Sequence, residues 1–246
     1  LSNSEVKYHP LPRYFCVTGS QDKTIKVWNI DTGKFICTLA TLHAGIYALA
    51  LHESNRVCIA GSSDGTINVY SLYHRALIQK LVCHSAIIWT LELLRSPSEM
   101  LIAGSGDCSL SAWRWNRRTC KYIFCRRLDG HSSAVIRVAA TKARKRKFVI
   151  SSDMGGAIKV WEAGTCVELD RALTAHGVAP VQSLSHLSRN FAFICIHTIQ
   201  CSTQPIWGLA ITDDDVSVIT CSADKRLLMW DIESAALQKT IMDLSG

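Results

Sequence analysis

Charged residues and long apolar runs are both scarce in this sequence of 246 residues. Charged residues make up 19 % of the chain and hydrophobic residues 48 %, a balance typical of a globular protein and not of a disordered one. No window approaches the run of about 18 apolar residues that a membrane-spanning helix needs. No signal-peptide pattern opens the chain either. These absences predict a globular protein that does not contact a membrane.

Several signatures of catalysis and cofactor binding are also missing. The sequence has no Walker A loop, no Gly-x-Gly-x-x-Gly turn that opens a helix, and no Gly-x-Ser-x-Gly nucleophile elbow. Cys195, His197 and Cys201 lie within seven residues, but the second paired cluster that is usual for a zinc site does not accompany them. We therefore expect no catalytic residue, no cofactor, no metal site and no small-molecule substrate.

The 11 cysteines are odd in number and irregularly spaced. Most of them lie inside apolar runs, as Cys16, Cys58 and Cys221 do. A small secreted scaffold would instead cluster its cysteines in loops with fixed gaps. The pattern indicates reduced, buried thiols, and it predicts an intracellular protein of the cytoplasm or the nucleus.

A repeated motif runs along the chain. In four segments an aromatic residue follows an aspartate by six positions: Thr18–Asp22 leading to Trp28, Ala60–Asp64 leading to Tyr70, Ala103–Asp107 leading to Trp113, and Thr220–Asp224 leading to Trp230. A fifth segment, Ile150–Asp153 leading to Trp161, reads as the same motif with two extra residues in its turn. The aromatic residues are separated by 42, 43, 48 and 69 positions. The early gaps predict a structural unit of about forty residues.

Each unit reads as four short β-strands. In the second unit the apolar or alternating runs are Ile46–Leu51, Arg56–Ala60, Thr66–Tyr70 and Ala76–Leu81, with polar turns between them. No long segment has the period of about 3.6 residues that indicates a helix. One four-stranded sheet cannot bury two apolar faces alone, whereas a ring of such sheets covers them. We therefore predict an all-β propeller.

The motif resembles that of the WD40-repeat family. A blade of that family has a His before the first strand, a Gly-Ser-x-Asp turn after the second strand and a Trp at the end of the third. The resemblance implies that these side chains form buried hydrogen-bonded networks, which a buried aspartate needs for its acceptor atoms. The implied sets are His43 with Ser62, Asp64 and Tyr70; His84 with Ser105, Asp107 and Trp113; His131 with Asp153 and Trp161; Ser20 with Asp22 and Trp28; and Ser222 with Asp224 and Trp230.

The strand pattern divides the chain into six repeat units within one predicted domain, residues 1–246. The units start near residues 4, 46, 87, 135, 181 and 206. The fifth unit is incomplete, because Val181–Leu187 and Phe191–Ile196 look like its first two strands and the next unit follows directly. The predicted ring has six or seven blades.

Positive charge is concentrated in the middle of the chain. The net charge is +7, and twelve of the 27 Lys and Arg residues lie between Arg114 and Lys147. A dense basic run is predicted to be an exposed loop between the first two strands of the fourth unit; it consists of Lys142, Arg144, Lys145, Arg146 and Lys147. Three interpretations stay open at this point: a solvated insertion, a contact to RNA, DNA or another acidic surface, and a nuclear-localisation signal.

Two functions from different classes fit this sequence. The first is a non-enzymatic scaffold or adaptor that presents its propeller faces to other proteins in an intracellular multiprotein complex. The alternative is a subunit of a ribonucleoprotein or chromatin assembly that contacts RNA or DNA through the basic run at residues 142–147.

Overall fold

The computed structural model of the chain describes residues 11–94, 99–142, 147–165 and 191–243. These residues form 19 β-strands and one short 3-10 helix, Glu53–Asn55, and they contain no α-helix. Within the same ranges no helix is long and apolar enough to cross a lipid bilayer. The predicted all-β class is confirmed.

The chain divides into two compact units, residues 1–88 and residues 89–246. The N-terminal unit contains two antiparallel sheets. Sheet 1 has the order β1 (Phe15–Gly19), β2 (Thr24–Asn29), β3 (Phe35–Thr41), and sheet 2 has the order β4 (Ile46–His52), β5 (Val57–Ser62), β6 (Thr66–Ser71), β7 (Ala76–Val82). The strand predicted near Ser4 lies outside the described residues.

Apolar side chains from both sheets form the core of the N-terminal unit. Strand β1 packs against β4, and the core includes Ile25, Val27 and Ile46, which are almost completely buried. Every residue of the two central strands β5 and β6 is buried. The outer strand β7 is mostly exposed, so burial falls from the centre of the sheet to its edge.

The C-terminal unit contains three four-stranded antiparallel sheets, each with its strands in chain order. Sheet 3 consists of β8 (Ile88–Leu94), β9 (Met100–Ser105), β10 (Leu110–Asn116) and β11 (Lys121–Leu128). Sheet 4 consists of β12 (Val135–Ala140), β13 (Lys147–Asp153), β14 (Ala157–Thr165) and β15 (Phe191–Gln200). Sheet 5 consists of β16 (Ile206–Ile211), β17 (Ser217–Ser222), β18 (Arg226–Asp231) and β19 (Leu237–Asp243).

Sheet 4 is covered on both of its faces. Strand β12 contacts β9 of sheet 3 and β16 of sheet 5. Trp161 lies in the core that sheet 4 shares with sheet 3, while Ile158 and Val160 lie in the core that it shares with sheet 5. Every residue of β13 is therefore buried, which explains why Phe148, Val149 and Ile150 are apolar at consecutive positions and not only at alternating ones.

One strand belongs to a different sheet from the one predicted. The sequence assigns Phe191–Ile196 to the second strand of an incomplete fifth unit. In the structure this segment is part of β15, the fourth strand of sheet 4, and it pairs with β14 from Ala157↔Gln200 to Thr165↔Phe191. The described residues therefore form five sheets. The unit start near residue 181, with Val181–Leu187, lies outside the described residues.

The turn of sheet 4 also differs from the prediction of two extra residues. Ser151 pairs with Lys159, just as Thr220 pairs with Leu228 in sheet 5, so the two turns have the same length. Asp153 occupies the position that Ser222 has in sheet 5. The apparent insertion in the motif has a simple cause. The aspartate of sheet 4 lies two positions earlier in its turn than the aspartates of the other motifs.

Candidate functional site

A buried network of four side chains links three segments of sheet 4. His131, which precedes β12, makes contacts of 2.7 Å through Nδ1 to Asp153 Oδ2 and through Nε2 to Ser151 Oγ. The indole Nε1–H of Trp161 donates to the same Ser151 Oγ at 2.8 Å. One arrangement of protons gives every donor of the network an acceptor. In it the Ser151 hydroxyl donates to His131 Nε2, and the Nδ1–H of the neutral imidazole donates to Asp153.

Asp153 is held as a carboxylate although it is almost completely buried. Its Oδ1 accepts hydrogen bonds of 2.9 Å from the main-chain N–H groups of Gly155 and Ala157. Burial alone would raise the pKa of Asp153, but the bonds from His131, Ala157 and Gly155 outweigh it, so this pKa lies below its ordinary value. His131, Ser151 and Asp153 resemble a hydrolase triad in type only, because both ring nitrogens are engaged and the three residues are buried.

A hydroxyl side chain ten residues before the tryptophan recurs in three sheets, and the sequence reasoning missed it. Trp28 Nε1 donates to Thr18 Oγ1 at 2.8 Å and Trp230 Nε1 donates to Thr220 Oγ1 at 3.1 Å, as Trp161 does to Ser151. In sheet 3 this position is Ala103, and Trp113 donates instead to Ser111 at 2.9 Å. The signal was present in the sequence, since the quoted motifs of sheets 1 and 5 begin with Thr.

The other four motif aspartates shape the turns after the second strands. Each accepts the main-chain N–H of the residue two positions later: Asp22 from Thr24, Asp64 from Thr66, Asp107 from Ser109 and Asp224 from Arg226, at 2.9–3.1 Å. Ser20, Ser105 and Ser222 accept the N–H of the aspartate that follows them by two positions. These bonds are local to their turns, whereas the bond between His131 and Asp153 joins residues 22 positions apart.

The three predicted histidines lie in different environments. His131 belongs to the network of sheet 4. His43 is exposed. It forms no hydrogen bond to Ser62 or Asp64, which lie in the described part of the chain, so the hydrogen-bonded network predicted for sheet 2 does not form. Tyr70 of that set is buried, and burial raises its pKa. His84 is also buried, and its pairing with Asp107 and Trp113 stays a prediction.

Sheet 5 replaces the histidine by a serine. Ser222 Oγ donates to Ser202 Oγ at 2.9 Å, and these residues correspond in position to Asp153 and His131 of sheet 4. Nothing in the sequence pattern identified Ser202, because the resemblance directs attention to histidines.

An open cleft of about 460 Å³ lies in the N-terminal unit. Its polar lining includes His43, Ser62, Asp64, Asn68 and Lys80, beside the ring of Tyr70. Because Asp64 and Lys80 have opposite charges, the lining does not favour ligands of one charge.

The three residues considered as metal ligands lie on β15, the outer strand of sheet 4, or directly after it. Cys195 is exposed, Cys201 is buried, and burial raises the pKa of Cys201 to about 12. His197 Nε2 lies 2.7 Å from the main-chain oxygen of Glu233. In the part of the chain that the structure describes, no three His, Cys, Asp or Glu side chains form a group that could hold a metal ion.

The predicted basic loop is described only at its two ends. Lys142 is exposed; its main-chain N–H donates to Asp215 Oδ1 at 2.9 Å and its Nζ lies 3.8 Å from Asp213 Oδ1. Lys147 contradicts the prediction of an exposed contact residue, because it begins β13 and only 6 % of it is exposed. Burial lowers the pKa of Lys147. Arg144, Lys145 and Arg146 lie outside the described residues.

A second basic surface lies on the outer part of sheet 3. Arg114 pairs with Ile123, Asn116 with Lys121, and Ala112 with Arg126, so these side chains share one face of the sheet. Arg114, Lys121, Ile123 and Arg126 are exposed. With exposed Arg118 in the adjoining turn they form what we call the sheet 3 basic surface.

Two arginines beside this surface form ion pairs, whereas the cations of the surface itself form none within the described part of the chain. Arg117 binds Glu99 at 2.7 Å, and Arg127 binds Asp129 at 2.9 Å and lies 3.6 Å from Asp107. No carboxylate of the described ranges forms an ion pair with Arg114, Arg118, Lys121 or Arg126. The surface therefore combines exposed positive charge with the exposed apolar side chain of Ile123.

Comparison with known proteins gives one result that bears on this geometry. The sequence model of the WD domain, G-beta repeat, matches residues 4–29, 33–71 and 193–231. The second match runs from β3 to β6 and the third from β15 to β18, so each starts on the outer strand of one sheet and continues through three strands of the next. The repeat motif therefore begins one strand before each sheet, and this agrees with the finding that β15 is the fourth strand of sheet 4. No curated protein was found to match the chain. The chain therefore contains WD40 repeats in three regions, and its antiparallel sheets are consistent with the blades of a WD40 propeller.

Proposed function

We propose that this chain is a non-enzymatic adaptor of an intracellular multiprotein complex, and that it binds an acidic segment of a partner protein on the sheet 3 basic surface. WD40 repeats generally mediate protein–protein interactions, and propellers of the family are generally non-enzymatic. We also propose that all five sheets belong to one propeller domain, as the continuous series of repeats suggests. The observation that supports the binding site is a set of four cations around exposed Ile123 that have no carboxylate partner among the described residues.

The chemistry of this surface favours a protein ligand over a nucleic acid. Single-stranded nucleic acids bind where bases stack on exposed aromatic rings. The aromatic side chains of β10 and β11 pair with one another on the opposite face of the sheet from Ile123, as Trp113 with Phe124 and Trp115 with Tyr122. Ile123, which is 42 % exposed, gives an apolar side chain of a peptide a place to pack. An extended segment with alternating acidic and apolar residues would satisfy both properties.

The alternative function, RNA or DNA binding through residues 142–147, receives less support. Lys142 lies beside the acidic turn that holds Asp213 and Asp215, and Lys147 is buried. A phosphate backbone approaching Lys142 would meet these carboxylates, which repel it.

Fluorescence anisotropy with two labelled probes tests the proposal. One probe is a ten-residue peptide in which Glu alternates with Leu, and the other is an oligouridylate of ten nucleotides. We expect the peptide to bind more tightly, and the double variant Lys121→Glu, Arg126→Glu to weaken its binding by about tenfold or more.

A matched control separates this surface from net charge. The variant Lys34→Glu, Lys225→Glu changes the net charge equally at two exposed lysines elsewhere, and it should shift the dissociation constant by less than about twofold. Equal losses in both double variants, or tighter binding of the oligouridylate, would contradict the proposal.

A further inference from the structure

One edge of strand β11 pairs with no strand of the described ranges. β11 is the last strand of sheet 3, whose order is β8, β9, β10, β11, and its inner edge pairs with β10 from Asn116↔Lys121 to Leu110↔Leu128. Every second residue of a β-strand directs its main-chain N–H and C=O groups towards a given edge. The outer edge of β11 therefore presents hydrogen-bonding groups that a further strand can use.

The charges of β11 favour an acidic neighbour over a second copy of the same strand. Its eight residues include three cations, Lys121, Arg126 and Arg127, and no acidic residue. The other outer strands, β3, β7, β15 and β19, contain no more than one Lys or Arg each. Pairing of β11 with β11 of a second copy would place cations opposite cations, which destabilises a ladder, whereas an acidic strand would place opposite charges together.

A strand added at this edge would lie beside both faces of sheet 3. One face carries Lys121, Ile123 and Arg126, the β11 residues of the sheet 3 basic surface. The other face carries Phe124, which is 47 % exposed and packs edge-on against Trp113 at a centroid distance of 5.0 Å. Consecutive side chains of a strand alternate between faces. A segment with alternating acidic and apolar residues therefore matches the cations on one face and Phe124 on the other.

We propose that the acidic segment of the partner protein binds as a fifth strand of sheet 3, paired with the outer edge of β11. This binding mode rests on the proposed function, because it specifies how an acidic segment is held at the sheet 3 basic surface. Main-chain hydrogen bonds supply affinity, and the side chains on the two faces of β11 select the sequence. A segment lying flat on the basic surface would contact neither the edge nor Phe124.

Methylation of main-chain nitrogens in the Glu-Leu peptide tests the pairing. One peptide carries N-methyl groups on two central Leu residues, and the other carries them on two central Glu residues. In an added strand the N–H groups of only one of these sets point towards β11. Fluorescence anisotropy should therefore show a loss of affinity of about tenfold or more for one methylated peptide and of less than about threefold for the other.

The variant Phe124→Ala tests the contact on the second face. Phe35→Ala is the matched control, because Phe35 lies on the outer strand β3, is 52 % exposed and packs edge-on against Trp28 at 5.5 Å. We expect Phe124→Ala to raise the dissociation constant of the Glu-Leu peptide by about threefold or more, and Phe35→Ala to change it by less than about 1.5-fold.

The results separate the added strand from the proposed function. Equal affinities of the two methylated peptides, or equal effects of Phe124→Ala and Phe35→Ala, overturn the added strand. If the double variant Lys121→Glu, Arg126→Glu still weakens binding in that case, the acidic segment binds the basic surface in another way and the proposed function stands. No binding of the unmethylated peptide contradicts the proposed function and the added strand together.

Discussion

Individual tryptophans in this protein depend on a hydroxyl group of the neighbouring strand. Thr18, Ser151 and Thr220 accept the indole N–H of the tryptophan ten residues later, and Ser151 also contacts His131. A buried N–H donor without an acceptor costs about 1–3 kcal/mol. The hydroxyl position is therefore as much a part of the motif as the tryptophan.

Loss of the buried Asp153 should cost more stability than loss of an exposed turn aspartate. Asp153→Ala leaves His131 Nδ1–H and the N–H groups of Gly155 and Ala157 without their acceptor in a buried site, and we expect a loss of about 3 kcal/mol. Asp22→Ala, at a turn where the side chain is 51 % exposed, is the matched control. Urea denaturation should show a much smaller shift for Asp22→Ala; equal shifts would refute the buried network as the cause.

The same carboxyl should make stability depend on pH in acid. Its pKa in the folded protein lies below the ordinary value of 3.8. The ionised form therefore adds stability that is complete above the unfolded-state pKa and is lost as the pH falls through the folded-state pKa. We expect the difference in unfolding free energy between wild type and Asp153→Asn to shrink below about pH 4. A difference that stays constant from neutral to acidic pH would assign the effect to packing.

At the level of the elements, tight turns decide how closely neighbouring segments approach. Gly156 has a φ of +82°, and a Cβ at this position would overlap the main-chain carbonyl of Ser202. Gly33 has a φ of +65° with no heavy atom within 4 Å of such a Cβ. The two glycines share the left-handed conformation but differ in available space.

This difference gives a prediction with an internal control. Gly33→Ala should cost about 1 kcal/mol for its left-handed backbone. Gly156→Ala should cost at least about 2 kcal/mol more, because Ser202 or the turn must also move. Thermal or urea melts of the two variants measure this, and similar losses would mean that the turn yields without strain.

The repeated motif predicts most elements from the sequence, and its failures have identifiable causes. The apolar runs predict the strands, and the constant spacing between Asp and Trp predicts the turns. Phe191–Gln200 was assigned to the wrong sheet because an outer strand and an inner strand are both short apolar runs, and their pairing partner is not local. Lys147 was placed in a loop because charge alone does not reveal that a strand begins at that residue.

The candidate sites were predicted less completely than the strands. The family resemblance points to His131, Asp153 and Trp161. It does not point to Ser151 or Ser202, because the roles of these serines depend on which side chains face each other in the folded chain. The predicted role of His43 fails because its side chain is exposed on the cleft. The sequence cannot distinguish the cations of sheet 3 that form ion pairs, Arg117 and Arg127, from those that have no carboxylate partner among the described residues.

For the whole molecule, the net charge of +7 is less informative than its distribution. Lys142 is matched by the acidic turn at Asp213 and Asp215, and Lys147 is buried. The sheet 3 basic surface keeps exposed cations without carboxylate partners among the described residues. This distribution of charge is the reason that we propose the sheet 3 basic surface, and not residues 142–147, as the binding site for an acidic partner.

Hydrogen exchange followed by mass spectrometry, with and without the Glu-Leu peptide, tests the proposed binding site most directly. An acidic segment bound on the sheet 3 basic surface should slow amide exchange in Arg114–Leu128. It should leave the outer strands of the other sheets, such as Phe35–Thr41 and Leu237–Asp243, unchanged. Protection confined to Arg114–Leu128 is the result that we predict, and no protection there, or equal protection of all outer strands, would contradict it.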